Sequence, residues 1–299
     1  RIAGGFFSSL RILIELKPSL VFSKGGFVSV PPCLESRILG IPVITHECDF
    51  SPGLATRINS RVATDILVSY EETAASFPER ARSRVTVTGN PVRPVFYSAS
   101  AAKGRDFLGC SGNSLPILLV LGGSLGARQV NDMVTRSLEA LCADFIVVHQ
   151  TGNQNSVHDA SGDSALVRER YKPYTFIRDE MADVLASATL VIARSGANTV
   201  WECAAAGKPM ILVPLEKGSS RGDQVENARY FVSHGAAIML TGSEATSEKL
   251  AQTVAGLIAH EKVIADMAFN SASLGEARPA AKIAELVAER MARQRTKRH

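Results

Sequence analysis

The sequence predicts an α/β protein of two doubly wound parallel-sheet domains facing each other across a cleft. Three observations lead there. Short apolar runs of the buried parallel-strand kind alternate with helix-compatible segments along the chain. A glycine-containing turn follows a strand early in each half, where open parallel sheets bind ligands. Residues 190–214 (LVIARSGANTVWECAAAGKPMILVP) also read as one complete strand–turn–helix–turn–strand unit.

In chain order, residues 8–16 carry an apolar helical pattern that Lys17 and Pro18 end. A strand at 20–22 runs into Gly25 and Gly26, where a bare backbone can approach a ligand closely. Pro31 and Pro32 suit the first turn of a helix reaching Leu39, with Gly40 as its cap. The next strand, 41–45, delivers His46 and Glu47 at its carboxyl end, and a short helix spans 54–61. Strands follow at 66–69 and 85–88, the second leading into a Gly-Asn-Pro turn at Asn90. Residues 96–114 are mixed and rich in small and polar types, so a domain boundary is expected there. The ranges this gives are 1–112, 113–272 and a closing helix, 273–299, that returns to the first domain.

The second series opens with a strand at 116–121 and the glycine-rich turn of Gly122, Gly123 and Gly126 before Arg128. Strands are expected at 145–149 and 174–177, a loop with an irregular helix at 153–170, and a helix at 180–187. After residues 190–214 come a loop at 218–222, a helix at 223–234 and a last strand at 236–240. Helices at 247–260, 263–269 and 279–293 close the chain. Its basic tail (Arg290, Arg293, Arg295, Lys297, Arg298) reads as a solvated end.

Composition narrows the function. The 299 residues are 45% hydrophobic and 21% charged, enough for two ordinary domains with cores. A net charge of +4 tolerates an anionic partner and gives no reason to expect nucleic acid. Cys33, Cys48, Cys110, Cys142 and Cys203 are scattered and odd in number, which fits reduced thiols in a cytoplasmic protein. No apolar run reaches the roughly 20 residues of a membrane-spanning helix. Arg1 begins partway through a helix or turn, as expected of a fragment or trimmed chain. No cluster has metal-ligand spacing, and neither a Walker loop nor a nucleophile elbow is present, so no metal or cofactor is expected.

The turn at Ser195–Thr199 places N–H groups and a helix dipole where a phosphate or diphosphate can sit. Glu202, one turn in, can accept hydrogen bonds from ribose hydroxyls. An ordinary βα turn with a stabilising glutamate explains the same stretch. GGSLGAR (122–128) lacks the dinucleotide fingerprint spacing yet makes a nest of N–H groups, with Arg128 in reach of a phosphate. His46 and Glu47 are adjacent on a strand, so at most one faces the cleft.

Together these motifs resemble the MurG family, the glycosyltransferase family 28 N-acetylglucosaminyltransferases of peptidoglycan synthesis. The matching pieces are SKGGFVSVP (23–31), GIPVITHECDFSPGLATR (40–57), TGNPVR (88–93) and LGGSLGARQVN (121–131). They continue, in the family's order, with HQTG (149–152), residues 176–214 and GDQVENA (222–228). The resemblance implies a GT-B fold with the first domain incomplete. It implies inverting transfer of N-acetylglucosamine from UDP-GlcNAc to lipid I, giving lipid II, without a metal. It also implies a peripheral protein on the cytoplasmic side of the bacterial membrane, with other cell-wall synthesis and division proteins as further partners.

Carried over by motif, Ile177 presents its backbone to uracil and Glu202 holds the ribose. Ala197, Asn198 and Thr199 line the diphosphate, Arg194 and Ser195 shape the turn, and Gly196, Val200 and Trp201 belong to the same donor-binding stretch. Asp223 and Gln224 contact the sugar, and Asn90, Arg128 and Thr151 match further donor positions. Gly25 and Gly26 match a loop facing the acceptor's diphosphate. The family's GGTGGH-type loop, whose His is its usual candidate base, would lie upstream of Arg1, leaving His46 and Glu47 as in-chain catalytic candidates. Asp223 stands where many members have Gln. Another GT-B enzyme, such as a diacylglycerol glucosyltransferase or UDP-GlcNAc epimerase, is the second reading, and UDP-sugar binding without turnover the third. An apolar patch with basic neighbours on the first domain is the expected membrane surface; residues 8–16 with Arg11 are candidates, although core is the expectation for those apolar side chains.

Overall fold

The structure, a computed structural model, describes residues 2–122, 127–152, 158, 160–216 and 222–296. Gly123 and Gly126 of the glycine-rich turn lie outside the described residues. So do the side chain of Arg295, Lys297 and Arg298 of the basic tail, part of the 153–170 segment, and the 218–222 loop except Gly222. The chain forms two compact units, residues 1–91 with 277–299, and residues 92–276.

The first unit begins with α1 (Ile2–Leu16), β1 (Val21–Ser23), α2 (Val30–Ile38), β2 (Val43–Glu47) and α3 (Leu54–Asn59). It continues with β3 (Asp65–Val68), α4 (Glu79–Arg82) and β4 (Val85–Val87). The strands pair in parallel in the order β1-β2-β3-β4, with Val21 opposite Val43, Ile44 opposite Asp65 and Ile66 opposite Val85. Side chains alternate across the pleat. Val43, Ile66 and Val68 pack on one face with Cys33 of α2, Ala81 of α4 and Phe77 just before α4.

Ile44 and Leu67 face the other way and pack on Ile283, Leu286 and Val287 of the chain's last helix, residues 279–296. That helix is fixed further by Lys282 Nζ donating to the Val87 carbonyl at 2.7 Å and by Arg290 Nε donating to Asp65 Oδ2 at 2.8 Å.

Among the described side chains of α1, Phe6, Ser9, Leu10 and Leu13, one helical stripe, turn inward. The expectation that the apolar residues of 8–16 are core therefore needs correcting. Leu13 is buried, whereas Ile12, Ile14 and Leu16 are exposed, with Leu16 at 72%. The helix packs chiefly on α2, and its outer side mixes these apolar residues with the exposed Arg11–Glu15 pair.

The second unit holds α5 (Ala101–Phe107), β5 (Ile117–Leu121), α6 (Arg128–Arg136), α7 (Leu138–Asp144) and β6 (Ile146–Gln150). After these come α8 (Ala165–Arg170), β7 (Tyr171–Tyr174), α9 (Met181–Ser187), β8 (Leu190–Ala193), α10 (Ala197–Ala205) and β9 (Met210–Leu212). They are followed by α11 (Asp223–Ser233), β10 (Ala237–Met239), α12 (Ser247–Ile258) and α13 (Glu261–Gly275); α14 (Pro279–Thr296) is the helix that packs on the first unit's sheet.

The second sheet is parallel throughout, in the order β10-β9-β8-β5-β6-β7. Its centre, β5, is wholly apolar and buried, as a strand covered on both faces must be. From β5 the chain first builds outward through β6 and β7, then returns to β8 on the opposite side. The carboxyl ends of β5 and β8 therefore flank the topological switch point.

Residues 96–114 hold α5, which Ser100 caps by accepting the Lys103 N–H. One local expectation fails. Residues 174–177 are not the strand; β7 is Tyr171–Tyr174. Pro173 sits within β7, and β7 is the sheet's edge, where a missing N–H is tolerated.

Candidate functional site

The switch point opens into a pocket of about 390 Å³ within the second unit. Each wall has a local cause. Leu121 and Gln150 end β5 and β6, and Thr199, Glu202 and Cys203 lie on the first turns of α10. Phe176 and Ile177 come from the loop after β7, and Arg93 and Phe96 from the chain entering the unit.

Helix α10 starts at Ala197, and its amino end presents the positive end of the helix dipole. Glu202 sits one turn inside. Burial pushes its carboxyl upward, and Arg93 pulls it back, with Arg93 Nη2 at 3.8 Å from Glu202 Oε1. The pair is loose, and Arg93 is mostly exposed with its guanidinium 4.9 Å over the Phe96 ring. Glu202 therefore keeps lone pairs for a ligand's hydroxyls.

The loop that carries Ile177 is pinned. Gln150 Oε1 accepts the Ile177 N–H at 2.9 Å, and the Gln150 carbonyl accepts the Gly122 N–H. The Thr151 and Gly152 N–H groups donate to Tyr174 and Thr175. Behind them His149 is fully buried between Tyr171 Oη, 3.0 Å from Nδ1, and Asn131 Oδ1, 3.1 Å from Nε2. Burial lowers its pKa to about 4, so this imidazole is neutral at pH 7.

The other expected residues separate by role. Ser195 is buried and donates to the Gln224 carbonyl at 2.7 Å, while Asn227 Nδ2 donates to the Ser195 carbonyl. Gln224 Oε1 accepts the Leu215 N–H at 3.0 Å, and Asp223 opens α11 beside the left-handed Gly222. Arg194 spans from Gln129 Oε1 to the Val213 carbonyl, bracing the turn, and desolvation lowers its pKa. Thr199 lines the pocket and Asn198 is exposed, while Arg128, first in α6, is exposed and absent from the pocket wall. Val200 and Trp201 were expected around the ligand, but helical periodicity turns both into the core, with Trp201 edge-on to Phe231 at 5.3 Å.

Asn90, Gly25, Gly26, His46 and Glu47 fall in the first unit. Lys24 Nζ donates to Asn90 Oδ1 at 3.4 Å. His46 is buried, with Nε2 3.1 Å from the Gly89 carbonyl and Nδ1 3.5 Å from Cys48 Sγ, and desolvation lowers its pKa to about 4. Glu47 accepts the Cys48 and Asp49 N–H groups on Oε1 and the Gly53 N–H on Oε2. That is the geometry of a loop anchor. The sequence reading leaves out Arg93, Gln150 and Phe176. The only signal for Arg93 is its place at the end of GNPVR; Gln150 has none beyond a strand end.

Comparison with known proteins now decides the family. The model of the glycosyltransferase family 28 C-terminal domain matches residues 117–287, and that of the family's N-terminal domain matches residues 1–68. The chain belongs to glycosyltransferase family 28. A family 28 relative from Treponema denticola is 53% identical over 298 residues, covering 96% of this chain and 76% of its own length. It is named UDP-N-acetylglucosamine–N-acetylmuramyl-(pentapeptide) pyrophosphoryl-undecaprenol N-acetylglucosamine transferase. A protein of the same name from Shouchella clausii is 40% identical, covering 85% of this chain and 69% of its own. Among solved structures, MurG of Acinetobacter baumannii matches with a TM-score of 0.72 at 29% identity, over 95% of this chain and 78% of that one. The two parallel-sheet α/β units are thus those of the family. An Anabaena protein solved with UDP shares the fold at a TM-score of 0.59 and 17% identity, over 95% of this chain and 82% of that one.

Proposed function

We propose that the chain is an inverting hexosyltransferase that moves N-acetylglucosamine from UDP-GlcNAc to lipid I and so makes lipid II for peptidoglycan. The observation that carries this reading is Glu202, a largely buried carboxylate one turn into the switch-point helix, in a chain 53% identical to a relative named for that transfer. Ribose hydroxyls donate to Glu202. The N–H groups of residues 197–199 face the diphosphate, and the pinned 176–178 loop receives the uracil, Ile177 through its backbone. By family motif we assign Arg128 and Thr151 to the phosphates and Asp223 and Gln224 to the sugar.

In the reaction the acceptor's 4-hydroxyl passes its proton to a general base, the role the family resemblance gives to the His of the GGTGGH-type loop, and attacks the anomeric carbon opposite the departing UDP. The bond to the diphosphate oxygen breaks, and the amino end of α10 stabilises the charge left there. We read Glu47 as the anchor of residues 48–53 rather than the base, since both its oxygens already accept N–H groups. His46 is neutral and tied to Gly89 and Cys48, which supports a structural role for it as well. Gly25 and Gly26, beside Lys24, face the acceptor's diphosphate.

No helix among the described residues is long and apolar enough to cross a membrane. The exposed side of α1, with Phe7, Ile12, Ile14 and Leu16 beside Arg11, is the surface we assign to the cytoplasmic face of the membrane. The test is transfer of label from UDP-GlcNAc to a short-prenyl lipid I analogue, to diacylglycerol, or to no acceptor. Labelled product is expected from the lipid I analogue alone. Product from diacylglycerol, or epimerisation without acceptor, would replace this reading with one of the other GT-B activities.

A further inference from the structure

Between β1 and α2 the chain makes two consecutive left-handed residues, Gly25 at φ +81° and Gly26 at φ +79°. A side chain at Gly25 would also press on Thr56, whose Oγ1 lies 3.3 Å from the Cβ position. Such a turn has little intrinsic preference for one geometry, because glycine is permissive. Something must hold it.

What holds it comes from α3. Asn59 is fully buried, and its Nδ2 donates to Ser29 Oγ at 2.8 Å and to Ser23 Oγ at 3.3 Å. Those hydroxyls grip the turn from both sides: Ser23 Oγ accepts the Gly25 N–H at 3.1 Å, and Ser29 Oγ donates to the Gly26 carbonyl at 2.8 Å. One amide nitrogen, with its two hydrogens, thus serves both ends of the loop. Asn59 Oδ1, by contrast, is buried with no hydrogen-bond partner among the described residues. An orphaned buried acceptor is unfavourable, and a leucine of the same branched shape would avoid it. The amide is retained for its N–H groups.

We propose that Asn59 is a positioning residue for acceptor binding: it clamps Ser23 and Ser29 and so fixes the Gly25–Gly26 turn that meets the acceptor's diphosphate. This rests on reading that turn as the acceptor loop, and it assigns Asn59 no contact with substrate.

Two measurements on the full 299-residue chain separate the clamp from the loop's role. Amide hydrogen exchange is followed in residues 23–30 and, as an internal control, 43–47, in wild type and Asn59→Leu. In parallel the short-prenyl lipid I analogue and UDP-GlcNAc are titrated by calorimetry. The expected result is exchange in 23–30 faster by roughly tenfold, the scale of one lost hydrogen bond, with 43–47 unchanged. Acceptor affinity should fall by about the same factor while donor affinity holds. Unchanged exchange in 23–30 overturns the proposal. Faster exchange with unchanged acceptor affinity also overturns it, and assigns the failure to the acceptor reading of the loop. Ser29→Ala, which cuts the Asn59–Ser29 and Ser29–Gly26 contacts from the loop's side, gives a readout in the same direction should Asn59→Leu not fold.

Discussion

The side-chain carbonyl of Gln150 accepts the backbone N–H of Ile177 at 2.9 Å, tying the end of β6 to the loop that follows β7. Both residues are almost wholly buried, so Gln150→Ala leaves an N–H unpaired at about 1–3 kcal/mol and frees the loop. UDP affinity should drop about tenfold, measured by calorimetry. An unchanged dissociation constant would remove the 176–178 loop from the uracil role.

Glu202 sets stability against binding. Burial raises its carboxyl pKa above the unfolded value, so the ionised form is less favourable in the folded chain than in the unfolded one. The penalty is present above the folded pKa and fades as pH falls through it. Glu202→Gln should therefore raise Tm at pH 7 by roughly 1–3 °C while weakening UDP binding by about 1–3 kcal/mol. A Tm gain that persists undiminished at low pH, or unaltered UDP affinity, would contradict this.

His46 and His149 predict an acid limb. Each has a folded pKa of about 4, well below the usual value near 6.5, because burial disfavours the imidazolium. Their contribution is present above pH ~6.5 and is lost as pH falls from there toward about 4, on the order of 2–3 kcal/mol each. Tm followed by scanning fluorimetry should decline through that window. His149→Gln, which cannot protonate there, should make the decline shallower; an identical slope would contradict the assignment.

Gly104 tests the packing of α5. A Cβ there would stand 2.1 Å from the Asp183 carbonyl oxygen of α9, a backbone atom with nowhere to go. Gly104→Ala should destabilise by about 2–4 kcal/mol, a Tm loss of roughly 4–16 °C, while Gly112→Ala, with open space around it, should behave as wild type.

Much of this molecule is legible in its sequence. The run 190–214 folds as read, since apolar strands and a Gly207 in the left-handed region leave one solution. What stays hidden depends on partners far along the chain. Ser100 is a local cap for α5, but the docking of that helix depends on Gly104 fitting against Asp183, which no local pattern announces. Whether Pro173 can sit in β7 depends on that strand being an edge. Ile12 and Leu13 are equally apolar, yet only the neighbour α2 decides which is buried. At the site, Glu202 is legible from its place one turn into a switch-point helix. Arg93 and Gln150 are not, because their roles exist only once separated segments converge.

The most direct test of the central claim is calorimetric titration of the 299-residue chain with UDP-GlcNAc, with UDP-glucose as control. A donor site in the second unit predicts saturable, one-to-one binding of UDP-GlcNAc and markedly weaker binding of UDP-glucose. A folded chain, verified by circular dichroism, that gives no saturable heat with either would contradict it.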